Sequence, residues 1–284
     1  MLAAGRYRLN ACRIFSQWEA FLILTAEGKT DLGRMRDRNE DFIHVDEKLG
    51  LLVVADGIGG RSRGEVASEL AVRAVREYFR TDHQAIADYD PAYSVTTNQL
   101  NTAVMQANRA VYEAAQTSPD LEGMGTTIAA CLLANDQLSF AHVGDSRIYL
   151  IRSGNMELLT ADHSFAGDHF PRQRLTGERT SLLFKNILTR AVGVGDEVVA
   201  DLGELNVLAG DLLLLCSDGL YNMIPDSEML QIILRAGNVR AASEILTDIA
   251  NDNGGSDNIS AIVGYIHKKK WRPSWAAITG QLRR

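Results

Sequence analysis

Hydrophobic and polar positions change rhythm several times along this chain of 284 residues. Phe21 to Gly28 reads as a strand, and the polar stretch from Thr30 to Asp41 as a loop. Leu51 to Ala55 is an unbroken apolar run, the pattern of a strand covered on both faces. From Gly64, Val66, Leu70, Ala74 and Tyr78 recur at helical spacing with charges opposite, which predicts an amphipathic helix. Asp82 to Ser94 is polar and loop-like. A second helix over Asn98 to Gln116 turns Leu100, Val104, Ala107 and Val111 inward.

The period then shortens. Gly125–Ala134, Gln137–Gly144 and Ser146–Gly154 are β-prone runs separated by one or two polar residues, and they read as consecutive antiparallel strands. Ala161 to Asn186 has no clear period and reads as a long excursion. Two strands follow within Leu202–Leu220, joined by the turn Ala209-Gly210-Asp211. Helices are expected over roughly Asp226–Arg235 and Arg240–Asn251, and a last strand over Asn258–His267. Strands in runs with helices grouped between them favour α+β over alternating βαβ. With no internal repeat and no Pro/Gly/Ser-rich linker, the expected division is an extension at 1–17, one domain at 18–267 and a basic tail at 268–284.

Composition narrows the classes. The chain is 46% hydrophobic and 23% charged with a net charge of -7, so a general nucleic-acid-binding surface is not expected. No segment approaches the roughly 20 apolar residues of a membrane helix. Cys12, Cys131 and Cys216 are far apart, which fits neither a zinc knuckle nor a disulfide framework and suits a reducing cytoplasm. Cys216, in an apolar run, reads as a small core residue.

The acids are placed unusually. Glu40 and Asp41 close the first loop, Asp56 ends the Leu51–Ala55 run, Asp145 sits between two strands, Asp218 ends Leu212–Cys216 and Asp257 precedes the last strand. One Asp-Gly alone would be an ordinary turn. Repetition of an acid at an apolar strand's tip, beside Gly or Ser, is not ordinary. Converging carboxylates are costly to desolvate and raise one another's pKa unless cations hold them ionised. Oxygen ligands without a His/Cys cluster suit Mg²⁺ or Mn²⁺ rather than zinc, and the carbonyl of Gly57 is a further candidate ligand.

Seven stretches together resemble the type 2C family of metal-dependent (PPM) serine/threonine protein phosphatases, in its bacterial branch. They are RMRDRNED, VVADGIGG, GMGTTIAACLL, AHVGDSRIYL, LTADHS, LLLLCSDGL and GGSDNIS, in order from Arg34 to Ser260. The resemblance implies a four-layer α-β-β-α sandwich with two central antiparallel sheets flanked by helix pairs. It implies two Mn²⁺ or Mg²⁺ ions bridged by Asp56, one completed by Glu40 and the Gly57 carbonyl, the other by Asp218 and Asp257. Asp41 would orient a metal-bound water and Arg36 would grip the substrate phosphate. Asp145 matches a ligand of a third, weaker metal, with Asp168 as its candidate partner in the divergent 161–186 segment. Ile58 stands where many eukaryotic members carry a histidine general acid. His44, His142 and His163 are isolated histidines near strands, which are more often structural, and metal-bound water could donate the proton instead.

The implied reaction is attack of dimetal-bound hydroxide on phosphoserine or phosphothreonine in proteins, in a cytoplasmic enzyme opposing a bacterial Ser/Thr kinase. Cys216 lacks the C-x₅-R loop of a cysteine phosphatase. Two alternatives remain: the same core acting on a small phosphoester, and a non-catalytic member that binds phosphoproteins. All five core acids are present, which favours catalysis.

Overall fold

Leu51 to Ala55 is indeed covered on both faces, and the reason is the layering of the whole molecule. The computed structural model describes residues 22–58, 63–81, 86–164 and 187–268. The proposed 1–17 extension, Cys12, Asp168, most of the 161–186 excursion and the tail beyond Lys268 lie outside the described residues. In chain order the first half comprises β1 (Leu22–Asp31), β2 (Asp41–Asp46), β3 (Leu51–Ile58), α1 (Gly64–Arg80), α2 (Val95–Ala115) and β4 (Gly125–Thr126). Next come β5 (Ile128–Ala134), β6 (Gln137–Val143), β7 (Arg147–Arg152), β8 (Asn155–Leu158) and β9 (Asp201–Asn206). The last elements are β10 (Leu212–Cys216), α3 (Asp218–Tyr221), α4 (Asp226–Arg235), α5 (Val239–Asp252) and β11 (Ile259–Lys268).

Two antiparallel sheets result. One has the order β1-β11-β10-β7-β8, the other β2-β3-β5-β6-β9 with β4 attached to β3. Successive residues of each central strand serve different apolar layers, because side chains alternate across a sheet. Leu51, Val53 and Ala55 pack under α1 and α2, while Leu52 and Val54 face the opposite sheet. Leu213 and Leu215 likewise enter the layer between the sheets, and Leu214 and Cys216 pack beneath α4 and α5. Cys216 is fully buried there, as a core residue. The arrangement is the expected four-layer α-β-β-α sandwich.

Several local expectations are corrected. Gln137–Gly144 and Ser146–Gly154 do form strands, but β6 and β7 do not pair: β6 lies between β5 and β9, and β7 between β10 and β8. Gly144, at φ 100°, and Asp145 therefore carry the chain from one sheet to the other. The Ala209-Gly210-Asp211 turn makes the reverse crossing, from β9 to β10. On α1 the buried row is Ala67, Ala71 and Val75 with Val72, Tyr78 and Phe79, while Val66, Leu70 and Ala74 flank it half-buried. Small alanines let the helix axis approach the sheet, so the stripe is centred one residue away from the larger side chains. β2 and β8 were not expected: both are edge strands whose half-covered faces break the apolar run. No helix among the described residues is long and apolar enough to cross a membrane.

Candidate active site

The sandwich brings the strand-tip acids together from both sheets. Asp41 opens β2 directly across from Asp56, and the Gly57 amide donates to the Glu40 carbonyl at 3.0 Å. From the other sheet, Asp218 follows β10 and Asp257 precedes β11, which are adjacent antiparallel strands. The Ser217 hydroxyl joins the two groups, donating to Asp41 Oδ2 at 2.6 Å across the sandwich. Arg36 reaches in from the first loop and donates through Nη2 to Asp257 Oδ2 at 2.7 Å. Asp145, on the β6–β7 crossing, has its backbone carbonyl held by the Tyr221 hydroxyl at 3.1 Å.

The glycines after the two tip aspartates are required by contact. A Cβ on Gly57 would run into the backbone carbonyl of Gly64, and one on Gly64 would meet the Gly57 carbonyl at 3.0 Å and the Glu40 carboxyl carbon at 3.1 Å. This glycine pair lets the start of α1 close onto the end of β3 beside Glu40. Gly219 plays the corresponding part for Asp218, because its Cβ would strike the carbonyl of Asn258 in the Asp257 loop. Both strand tips give up side chains so that two backbones can pass close to the acids.

The electrostatics are those of crowded, desolvated carboxylates. Burial pushes Asp41 up to about 7, against the hydrogen bond from Ser217, and the charges of Asp218 and Asp257 add to the rise. Asp56 is displaced well above the usual carboxylate range by burial, then by Asp41, Asp218 and Asp145. Asp218 rises to about 6 through burial and Asp257, with Arg36 opposing. Asp145 rises to about 7 through burial and its neighbour Asp218. Glu40 is raised by burial and by Glu65. Asp41 Oδ1 and Asp218 Oδ1 are buried with no hydrogen-bond partner. Orphaned buried acceptors are rare and costly, and hard oxygen atoms held this way fit a divalent cation.

Residues that position the acids carried no signal in the sequence. Asn258 accepts from the Glu40 amide at 2.8 Å and donates to the carbonyls of Leu32 and Arg38, pinning the first loop to the β11 end. Thr127 Oγ1 accepts from the Asp56 amide at 2.9 Å, and Thr126 donates to the Asp56 carbonyl at 2.8 Å. Glu65 adds a second acid beside Glu40, its Oε2 buried and unpartnered. Arg147 clamps Asp162 with two bonds of 3.0 and 2.7 Å and lies over the Tyr221 ring, buttressing the residue that holds the Asp145 carbonyl. The histidines considered as proton donors divide differently: His44 is in β2, whereas His142 and His163 pack against each other beside Asp201.

A four-layer sandwich with a nest of carboxylates at its strand tips is the architecture of the metal-dependent protein phosphatases. The Protein phosphatase 2C family profile matches residues 34–253, and the chain belongs to that family. It is 37% identical over 242 residues to the serine/threonine phosphatase Stp of Listeria innocua, covering 84% of this chain and 94% of the relative. The crystal structure of the PstP catalytic domain in complex with two manganese ions superposes with a TM-score of 0.74 at 33% identity, covering 87% of this chain and 100% of that one. The Mycobacterium tuberculosis PstP/Ppp structure gives a TM-score of 0.75 at 33% identity, over 86% of this chain and 99% of that one.

Proposed function

We propose that this site hydrolyses phosphoserine and phosphothreonine in proteins, with the strand-tip acids holding two manganese ions. The observation that carries the proposal is the pair of unpartnered buried oxygens, Asp41 Oδ1 and Asp218 Oδ1, within a set of carboxylates raised by burial and by one another's charge. Glu40, Asp56 and the Gly57 carbonyl would hold one ion, and Asp56, Asp218 and Asp257 the other. Mg²⁺ has the same preference for oxygen ligands and is the alternative ion. Such a pair of bound cations supplies a water of lowered pKa and neutralises phosphoryl charge.

The chain's own residues do the rest. Asp41, fixed by Ser217, is aimed to accept a hydrogen bond from the attacking water and so orient it. Arg36 offers a planar fork of donors for the phosphoryl oxygens, and its exposed guanidinium can exchange Asp257 for that ligand. Thr127 and Thr126 fix the Asp56 backbone through its amide and carbonyl, which holds the strand tip that carries the carboxylate. Asp145 would serve a third, weaker ion. A Ser/Thr kinase whose products this enzyme reverses is the expected counterpart.

The test is phosphate release from a phosphothreonine peptide with Mn²⁺, with Mg²⁺ and with EDTA, for wild type and Asp56→Asn. Release that requires metal and is lost in the variant is expected. No release from folded, metal-loaded wild type would refute the proposal, and a p-nitrophenyl phosphate arm would then test the small-ester alternative.

A further inference from the structure

A second group of ligating side chains lies outside the acid nest. His142 is the penultimate residue of β6, Asp201 opens β9 across from it, and His163 lies in the stretch after β8. Each of the three offers a ligand atom within 4.8 Å of the other two. Both histidines are buried, at 2% and 1% exposure, with ring centroids 4.5 Å apart. We propose that His142, His163 and Asp201 form a Zn²⁺ site distinct from the catalytic acids.

The argument is in the placement of the ligand atoms. His142 donates through Nε2 to the Ala161 carbonyl at 2.8 Å, which leaves Nδ1 as a lone-pair acceptor, and that atom is buried without a partner. A backbone carbonyl fixing the far nitrogen is the usual arrangement behind a metal-ligating histidine. His163 Nε2 lies 3.2 Å from Asp201 Oδ2, and in the metal-free protein it carries the ring proton toward that carboxylate, a proton that zinc would replace. Two ligands about 2.0–2.1 Å from a tetrahedral zinc stand roughly 3.3 Å apart, so this separation suits a shared ion. Arg190 occupies the other carboxylate oxygen, Asp201 Oδ1, at 2.5 Å and leaves Oδ2 to the site. Burial, the neighbouring imidazole and Arg190 disfavour protonation of His163, so both rings stay neutral and able to ligate at neutral pH. Two imidazoles and a carboxylate select zinc over the hard cations that suit the acid nest.

Binding has one local cost with a consequence. The Gly144 amide now donates to His163 Nδ1 at 3.1 Å. Ligation through Nε2 puts the proton on Nδ1 and displaces that bond. Gly144 adjoins Asp145, so zinc at this site acts on the turn that carries Asp145 between the sheets.

The experiment titrates Zn²⁺ into the full chain by calorimetry in millimolar Mg²⁺, with Co²⁺ as an optical probe. His142→Gln and Asp201→Asn are compared with wild type, and folding is checked by circular dichroism. One zinc per chain retained against Mg²⁺ is expected, with intense tetrahedral Co²⁺ bands and altered exchange of the Gly144 amide. Each folded variant should lose at least about tenfold in affinity. Absence of Mg²⁺-resistant zinc binding in wild type overturns the proposal. So does binding that both folded variants retain. Asp201, partly exposed, decides the matter if His142→Gln does not fold.

Discussion

Asp56→Asn should stabilise the metal-free protein while abolishing catalysis. The substitution removes one charge from the nest at nearly constant volume, and its amide can donate to neighbouring carboxylate oxygens. The magnitude is scaled from Asp41 and Asp218, which burial first and neighbouring charges second raise as they raise Asp56 itself. Asp41 at about 7 and Asp218 at about 6 titrate near 4 in the unfolded chain. An acid whose pKa is raised on folding keeps its proton longer in the native state. Its favourable contribution is therefore present at low pH and is lost as pH rises from about 4 through the folded value, here about 6–7. A displacement of 2 to 3 in pKa corresponds to about 3–4 kcal/mol, shared among mutually coupled groups. Relief of one member of the set is worth about 2 kcal/mol at pH 7.5, or about 4–8 °C in Tm for a domain of this size. The assay is thermal unfolding in EDTA at pH 7.5 and 4.5. The variant should melt higher at pH 7.5, and the gap should close at pH 4.5, where the wild-type acids are already protonated. With saturating Mn²⁺ the order should reverse, because only wild type gains the full linkage energy, about 2.7 kcal/mol at a hundredfold excess over Kd. A variant that melts lower in EDTA at pH 7.5, or a gain independent of pH, refutes the account of the nest as desolvated, crowded carboxylates.

Arg36→Ala should lower kcat/KM for a phosphopeptide about 10- to 100-fold, mainly through KM, the loss expected for one charge-assisted contact of about 1.5–3 kcal/mol; steady-state kinetics with unchanged KM would contradict its role. Gly219→Ala should cost about 1–3 kcal/mol by driving a methyl into the Asn258 carbonyl, and should weaken Mn²⁺ binding as the Asp257 loop is displaced. Denaturant unfolding and metal titration check both halves. Asp145→Asn should leave two manganese ions bound and remove any weaker third, which equilibrium dialysis at millimolar Mn²⁺ would count.

What was legible in the sequence was whatever interrupts a pattern. Asp56 and Asp218 each end an apolar run and are followed by glycine, so their placement follows from one dimension alone. The central strands were legible for the same reason: residues such as Leu51–Ala55 and Leu212–Cys216 have apolar neighbours on both faces. β2 and β8 were not legible, because an edge strand with one half-covered face has no such run. Nor was the exchange of sheets between β6 and β7, since the short connection Gly144-Asp145-Ser146 looks the same whether it closes a hairpin or crosses the sandwich.

The positioning residues belong to a different category of information. Ser217, Thr127 and Asn258 act on Asp41, Asp56 and Glu40, which are 176, 71 and 218 residues away along the chain. A serine next to an aspartate is unremarkable until the sheets are stacked and its hydroxyl meets an acid from the other sheet. His142 and His163 make the same point in reverse. Singly they are ordinary strand-end histidines, and their neutrality and pairing with Asp201 exist only because β6 and β9 are neighbours and the chain after β8 folds back against them. The acids follow from where strands end; their support, and any second metal site, follow only from which strands end together.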